Sequence, residues 1–276
     1  MPASHERLFP PPAAGSPADF CLGPSEPPPF EVLNADGRAP LLLVCDHASN
    51  VIPAALNRLG LAEAMLERHI AYDIGSGDLT RMLSARLDAP AVLAGYSRLL
   101  IDVNRQPGDP QSILAESDGV PIPGNVGLSE AAQHARAEAF HWPYHHAIET
   151  VFAHLRRRGP EPLLFSIHTF TPSLGGRDRL WDVGVLWNRD PRLAVPLLDL
   201  LRRHPITVGD NEPYSGKKIA YTLNLHAGAA GLANAAVEIR QDHCESTDEL
   251  RRWTDILGEA LGAIVGMDHL HRVEVF

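Results

Sequence analysis

Three short apolar runs in this sequence stop at residues equipped for chemistry. Leu41-Leu42-Leu43-Val44-Cys45 runs into Asp46-His47. Pro162-Leu163-Leu164-Phe165-Ser166-Ile167 runs into His168-Thr169, and Ala235-Ala236-Val237 runs into Glu238-Ile239-Arg240. A run as short as the second, opened by Gly159-Pro160, reads as a buried strand. Open α/β sheets bind ligands beyond the carboxyl ends of their strands. The three run ends are therefore expected to converge on one metal-dependent hydrolytic site.

Imidazole nitrogen suits zinc, and catalytic zinc takes three protein ligands plus water. His47 and His168 supply two candidates, and one Zn2+ per chain is expected. With 14 histidines in the chain, a structural role for either stays open. The first candidate for the third ligand is Asp73, in the turn Asp73-Ile74-Gly75-Ser76-Gly77-Asp78. Asp46 either orients a ligand or braces the loop after its strand. Glu238 ends an apolar strand, where a carboxylate is costly unless paired or used. It is the candidate general base, or else an ion-pair partner of Arg240.

Arg98, Asn104 and Arg105 form a second set. A guanidinium matches a carboxylate with two parallel hydrogen bonds. Asn104-Arg105, read as following a strand, could hold a substrate carboxylate while Arg98 polarises the scissile carbonyl, or the two roles could be exchanged; otherwise the arginines are surface residues in structural ion pairs. Tyr214, Lys217 and His226 fall in a loop region that could line the pocket, or they are solvated. His145 and His146 are adjacent on a helix, about 100° apart, and cannot both face one metal.

These residues need a scaffold of alternating strands and helices. A helical stretch is expected after Ile52-Pro53, with Leu56, Leu59, Leu61, Met65 and Ile70 on its buried face. Further helices are expected at about 79–87, from Ser129 to about Phe140, from Pro143 to about Arg158, from Pro196 to Arg203, and from Asp248 onward. Strands are expected at Ala91–Ala94 and Val183–Trp187. Residues 106–128 read as a long loop, of a length that is often functional. The alternation implies a three-layer α/β/α sandwich on a mixed, mostly parallel sheet. Residues 1–30, rich in proline and alanine, read as an N-terminal arm before a single domain over 31–276.

Composition excludes several classes. A net charge of −10 argues against nucleic-acid or anionic-membrane binding. No apolar run reaches membrane-spanning length. The N-terminus lacks the basic start and apolar core of a signal peptide, so a cytoplasmic location is expected. The three cysteines, Cys21, Cys45 and Cys244, form neither a disulfide framework nor a CxxC zinc pattern. Nothing here fixes the oligomeric state, and a homo-oligomer stays open.

The ordered motifs resemble the N-formylglutamate amidohydrolase family. They are Asp46-His47-Ala48-Ser49 with Pro53, Tyr96-Ser97-Arg98 through Asp102-Val103-Asn104-Arg105, Trp142-Pro143-Tyr144-His145, Ser166-Ile167-His168-Thr169, and Val237-Glu238-Ile239-Arg240. They span roughly residues 40–260. The family is similar, distantly, to the zinc carboxypeptidases. The resemblance implies a phosphorylase/hydrolase-like sandwich and an order of parts: ligand His47, Arg98, Asn104-Arg105, ligand His168, catalytic Glu238. It implies hydrolysis of a small N-acyl amino acid, N-formyl-L-glutamate first, by metal-activated water with Glu238 as base. Two departures stand out. Asn50 occupies the position of the second ligand in the carboxypeptidase His-x-x-Glu pattern, and Asp46-His47-Ala48-Ser49 replaces the Pro-His-Ser-Gly of better-known deformylases. The alternatives are a carboxypeptidase-like or other N-acyl amidase with a different substrate, or a non-catalytic binding protein on the same fold.

Overall fold

The computed structural model describes residues 22–23 and 25–276. Most of the proline-rich arm, including Cys21, lies outside the described residues. The centre is a seven-stranded sheet: β1 Phe30–Leu33, β2 Leu41–Cys45, β3 Ala91–Ala94, β4 Leu163–Phe170, β5 Val183–Leu186, β6 Val208–Asp210 and β7 Asn234–Arg240. Their spatial order is β1-β3-β2-β4-β7-β5-β6. The pairs β3/β2, β2/β4, β4/β7 and β5/β6 are parallel, while β1/β3 and β7/β5 are antiparallel. The sheet is thus mixed and mostly parallel, as the alternating pattern requires.

Successive strand residues point to opposite faces, and both faces are buried. Leu41, Leu43 and Cys45 join one apolar cluster, and Leu42 and Val44 join the other. The first face is covered by α1 (Ser76–Leu87), α3 (Ala194–Leu201) and α4 (Thr247–Val265), and the second by α2 (Trp142–Arg158). Each fully buried leucine of β2 contributes about 1.5–3 kcal/mol. Ser246 caps α4 in a reciprocal box with Glu249, which starts this helix one residue before Asp248. Among the described residues, no helix is long and apolar enough to cross a membrane.

Several expected elements differ. The sheet begins earlier than β2: Phe30–Leu33 forms an edge strand, antiparallel to β3. The stretch after Pro53 is no continuous helix. Residues 54–60 form tight turns with Asn57, Arg58 and Leu59 at positive φ, and only Glu63–Leu66 is α-helical. Residues 98–105 are not a strand. Asp102 captures the Asn104 amide with its carboxylate (2.9 Å) and the Arg105 amide with its carbonyl (3.1 Å), which turns the chain. Leu99, Leu100 and Ile101 instead fill a third apolar cluster with Leu59, Tyr96 and Phe140. The 171–182 segment contains a two-residue hairpin, Ser173–Leu174 against Arg177–Asp178, turned by Gly175 and Gly176 at φ 58° and 75°. Such turns need positive φ at both central positions, which glycine takes without strain.

Candidate active site

The sheet's carboxyl edge gathers the expected residues. His47 lies two residues past the end of β2. His168 lies inside β4 and pairs in register with Glu238 of β7. Asp73 precedes Gly75, whose φ of 79° starts α1; a Cβ there would lie 2.6 Å from that of Cys244, so only glycine fits. His47, Asp73 and His168 are all buried, and their donor atoms lie within 4.8 Å of one another. Asn50, the departure from His-x-x-Glu, instead donates to the Leu66 carbonyl and to Glu67. Asp73 completes the buried group of three that could hold a metal ion.

Proton placement shows what this cluster fits. His47 Nε2 is 2.8 Å from Asp102 Oδ1, and His168 Nε2 is 3.1 Å from Asp46 Oδ2. A carboxylate behind each ring takes the Nε2 proton, leaving Nδ1 as a lone pair. Both Nδ1 atoms face the same Asp73 oxygen, at 3.2 Å and 2.8 Å. Three acceptors this close require a cation among them, or else an added proton on each ring. Without a metal the protons are favoured: burial opposes them, yet the facing carboxylates raise His47 and lift His168 well above the usual range. Burial also works against ionised Asp46, but the hydrogen bonds from His168 and Thr222 and the charges of His168 and His47 together outweigh it and hold the carboxyl at about 2. Asp102 stays well below the usual range against its burial, chiefly through Arg98. Counting Glu238, four carboxylates are buried here at 1–7 % exposure. The donor set and the surplus of buried negative charge both fit a divalent cation.

The Glu238 carboxylate forms no hydrogen bond with any described residue. Arg240, its alternative partner, is engaged by Asp182 and Asp242. Burial pushes the Glu238 carboxyl up to about 7, against the pull of His168. A carboxyl near neutrality, free of partners and facing a cavity, can exchange a proton at physiological pH.

That cavity, of about 180 Å³, is lined by His47, Asp73 and His168 together with Arg98, Asn104, Arg105, Tyr214 and Glu238. Arg98 is committed on one side to Asp102 (2.5 Å) and Asp73 (3.5 Å). Arg105 makes no ion pair with any described residue, and Asn104 accepts from the Thr222 amide at 3.0 Å. Two expected lining residues lie elsewhere. Lys217 stands over the Trp187 ring, 5.7 Å from its centroid. His226 is buried against His145.

Sequence reasoning missed three groups. Asp102, inside the apolar stretch 99–103, orients His47; a buried carboxylate needs a partner, and that was the available clue. His141, His145 and His226 form a stack of neutral rings. His145 Nε2 donates to the Val103 carbonyl (2.8 Å), so its Nδ1 accepts from His226 Nε2 (2.8 Å), and His141 Nε2 donates to the Arg105 carbonyl (3.0 Å). They thereby hold the backbone on both sides of Asn104. Burial drives them to about 4, 3 and 4 respectively. Third, Arg179 stacks on Tyr214 at 4.8 Å and donates to its hydroxyl oxygen at 2.7 Å. The Tyr214 proton is thus left free to point elsewhere.

Comparison with known proteins agrees with this geometry. A gene product of Agrobacterium tumefaciens of known structure shares 34% identity, with a TM-score of 0.86, over 89% of this chain and 98% of its own. The N-formylglutamate amidohydrolase from Ralstonia eutropha JMP134 has the same fold, with a TM-score of 0.63 at 20% identity over 88% of this chain and 98% of its own. No curated protein matches the chain. The family model described as N-formylglutamate amidohydrolase matches residues 39–244. With most of its length matched, and with its motif residues gathered at one sheet edge, this chain belongs to the N-formylglutamate amidohydrolase family.

Proposed function

We propose that the protein is a zinc-dependent amidohydrolase that cleaves a small N-acyl amino acid, with N-formyl-L-glutamate, yielding formate and glutamate, as the leading substrate. The observation that carries the metal requirement is the pair of Nδ1 lone pairs facing one Asp73 oxygen, each fixed by a carboxylate behind its ring. His47, Asp73 and His168 would hold the ion, leaving room for water in the fourth position. A bound zinc would acidify water and polarise the acyl carbonyl.

The remaining work falls to side chains. Glu238 takes the proton from the attacking water and returns it to the leaving nitrogen. Arg98, locked by Asp73 and Asp102, presents its open edge to the charge that develops on the carbonyl oxygen. Arg105, with no carboxylate of its own, takes the substrate carboxylate, and Asn104 and Tyr214 line its approach. Membership of an amidohydrolase family and a cavity of amino-acid size support this reading. The test is release of formate from N-formyl-L-glutamate by purified protein, its loss on chelation and its return with zinc. Metal-replete protein inert toward every N-acyl amino acid offered would refute it.

A further inference from the structure

A second cavity, of about 210 Å³, adjoins the first. The two share His69, Arg98, Asp102 and Leu174 as walls. Their chemistry differs. Asn104, Arg105 and Glu238 line only the first. The second is walled by Ile70, Leu99, Leu114 and Leu174, and its own polar groups are Gln111, Ser117 and Asp118, the last paired with Arg68. Ile70 and Leu99 are 3% exposed, whereas Leu114 and Leu174 are 38% and 45% exposed. The floor is therefore firm core, and the two open walls are leucines turned toward solvent. Leu114 sits in the long 106–128 stretch and Leu174 beside the turn of the 173–178 hairpin, so two connecting segments outside the central sheet shape this space. A formyl group carries no carbon beyond its carbonyl and leaves such a cavity unfilled.

We propose that this cavity is an acyl subsite, and that the protein acts, beyond the formyl substrate, on N-acyl amino acids whose acyl group carries an apolar chain of several carbons. The inference rests on the hydrolase reading above. With the substrate carboxylate on Arg105 and the carbonyl beside Arg98, the acyl remainder leaves the polar cavity past Arg98. Leu99, Leu114 and Leu174 receive it there. The reaction is otherwise unchanged: water oxygen bonds to the acyl carbon, the C–N bond breaks, and the nitrogen takes a proton. A carboxylic acid and an amino acid are released. Exposed leucines at a cavity mouth gain by covering apolar chain, at a rate of about fourfold in binding for each methylene fully buried.

The experiment is a series of N-acyl-L-glutamates, from formyl through acetyl, butanoyl and hexanoyl, assayed by amine release with zinc-loaded protein. The expected result is a kcat/KM rising by about twofold to fourfold per methylene. In Leu114→Asp and Leu174→Asp, the hexanoyl-to-formyl ratio should collapse by about tenfold or more. Both positions are partly exposed, so folding should survive, and circular dichroism verifies it. A kcat/KM that falls steadily from formyl onward would overturn the acyl subsite and leave the hydrolase reading standing. So would a selectivity ratio unmoved by either folded variant. Hydrolysis of no member of the series would overturn both.

Discussion

Glu238 and His168 face each other in register on adjacent parallel strands, β7 and β4. The sheet itself thus fixes the spacing between the candidate base and a candidate metal ligand. Glu238→Gln keeps the side-chain shape and removes the base. It should lower kcat by about 10²–10⁴-fold while metal content stays at the parent level. Steady-state kinetics with metal analysis on the same sample checks both halves. Unchanged turnover would remove Glu238 from the mechanism.

Asp46 and Asp102 would act on a bound metal through the rings they face. Asp102→Asn retains the shape and loses the charge behind His47. Zinc affinity should fall by about 10–100-fold, as measured by competition with a chromophoric chelator.

Arg105 should govern recognition more than chemistry. Arg105→Leu is expected to raise KM by at least about tenfold for a carboxylate substrate, and to spare the corresponding carboxamide. Equal losses for both compounds would place Arg105 outside substrate recognition.

The neutral stack of His141, His145 and His226 makes the fold sensitive to acid. Each folded-state value is depressed, so the unfolded chain binds more protons than the folded one below pH 6.5. Their contribution is complete above that pH and is lost as pH falls toward about 4. His47 and His168 are shifted the other way in metal-free protein, so the diagnostic quantity is a difference between variants. In His141→Asn, where the amide still reaches toward the Arg105 carbonyl, denaturant-derived stability should fall less steeply between pH 6.5 and 4 than in the parent. Parallel slopes would contradict the assignment.

Ser246→Ala removes the cap of α4 far from the cavity. It should cost about 1 kcal/mol in stability with little change in kcat/KM. Thermal melts and kinetics separate the two effects.

Much of this was legible in the sequence because burial on both faces writes itself as short apolar runs. The strands β2, β4 and β7 announced themselves that way, and so did the polar residues that close the apolar runs, although β4 and β7 continue two residues past His168 and Glu238. The edge strands β1 and β6 did not, being four and three residues long beside proline, glycine or asparagine. The apolar stretch Leu99–Val103 misled because its pattern suits a strand, while Asp102 turns the backbone with local hydrogen bonds. The bond between His145 and His226 joins residues 81 positions apart, and neither has a local pattern to expose it. Asp73 stood out only through its glycine-rich turn, and Asp102 not at all as the partner of His47. Tertiary packing alone brings these carboxylates to the rings.

The central claim is that His47, Asp73 and His168 form a metal site. Its most direct test is zinc content per chain in protein purified without a histidine tag, alongside His168→Ala. The account predicts about one zinc in the parent and a small fraction of that in the variant. A parent that neither carries zinc nor takes it up when it is offered would contradict it.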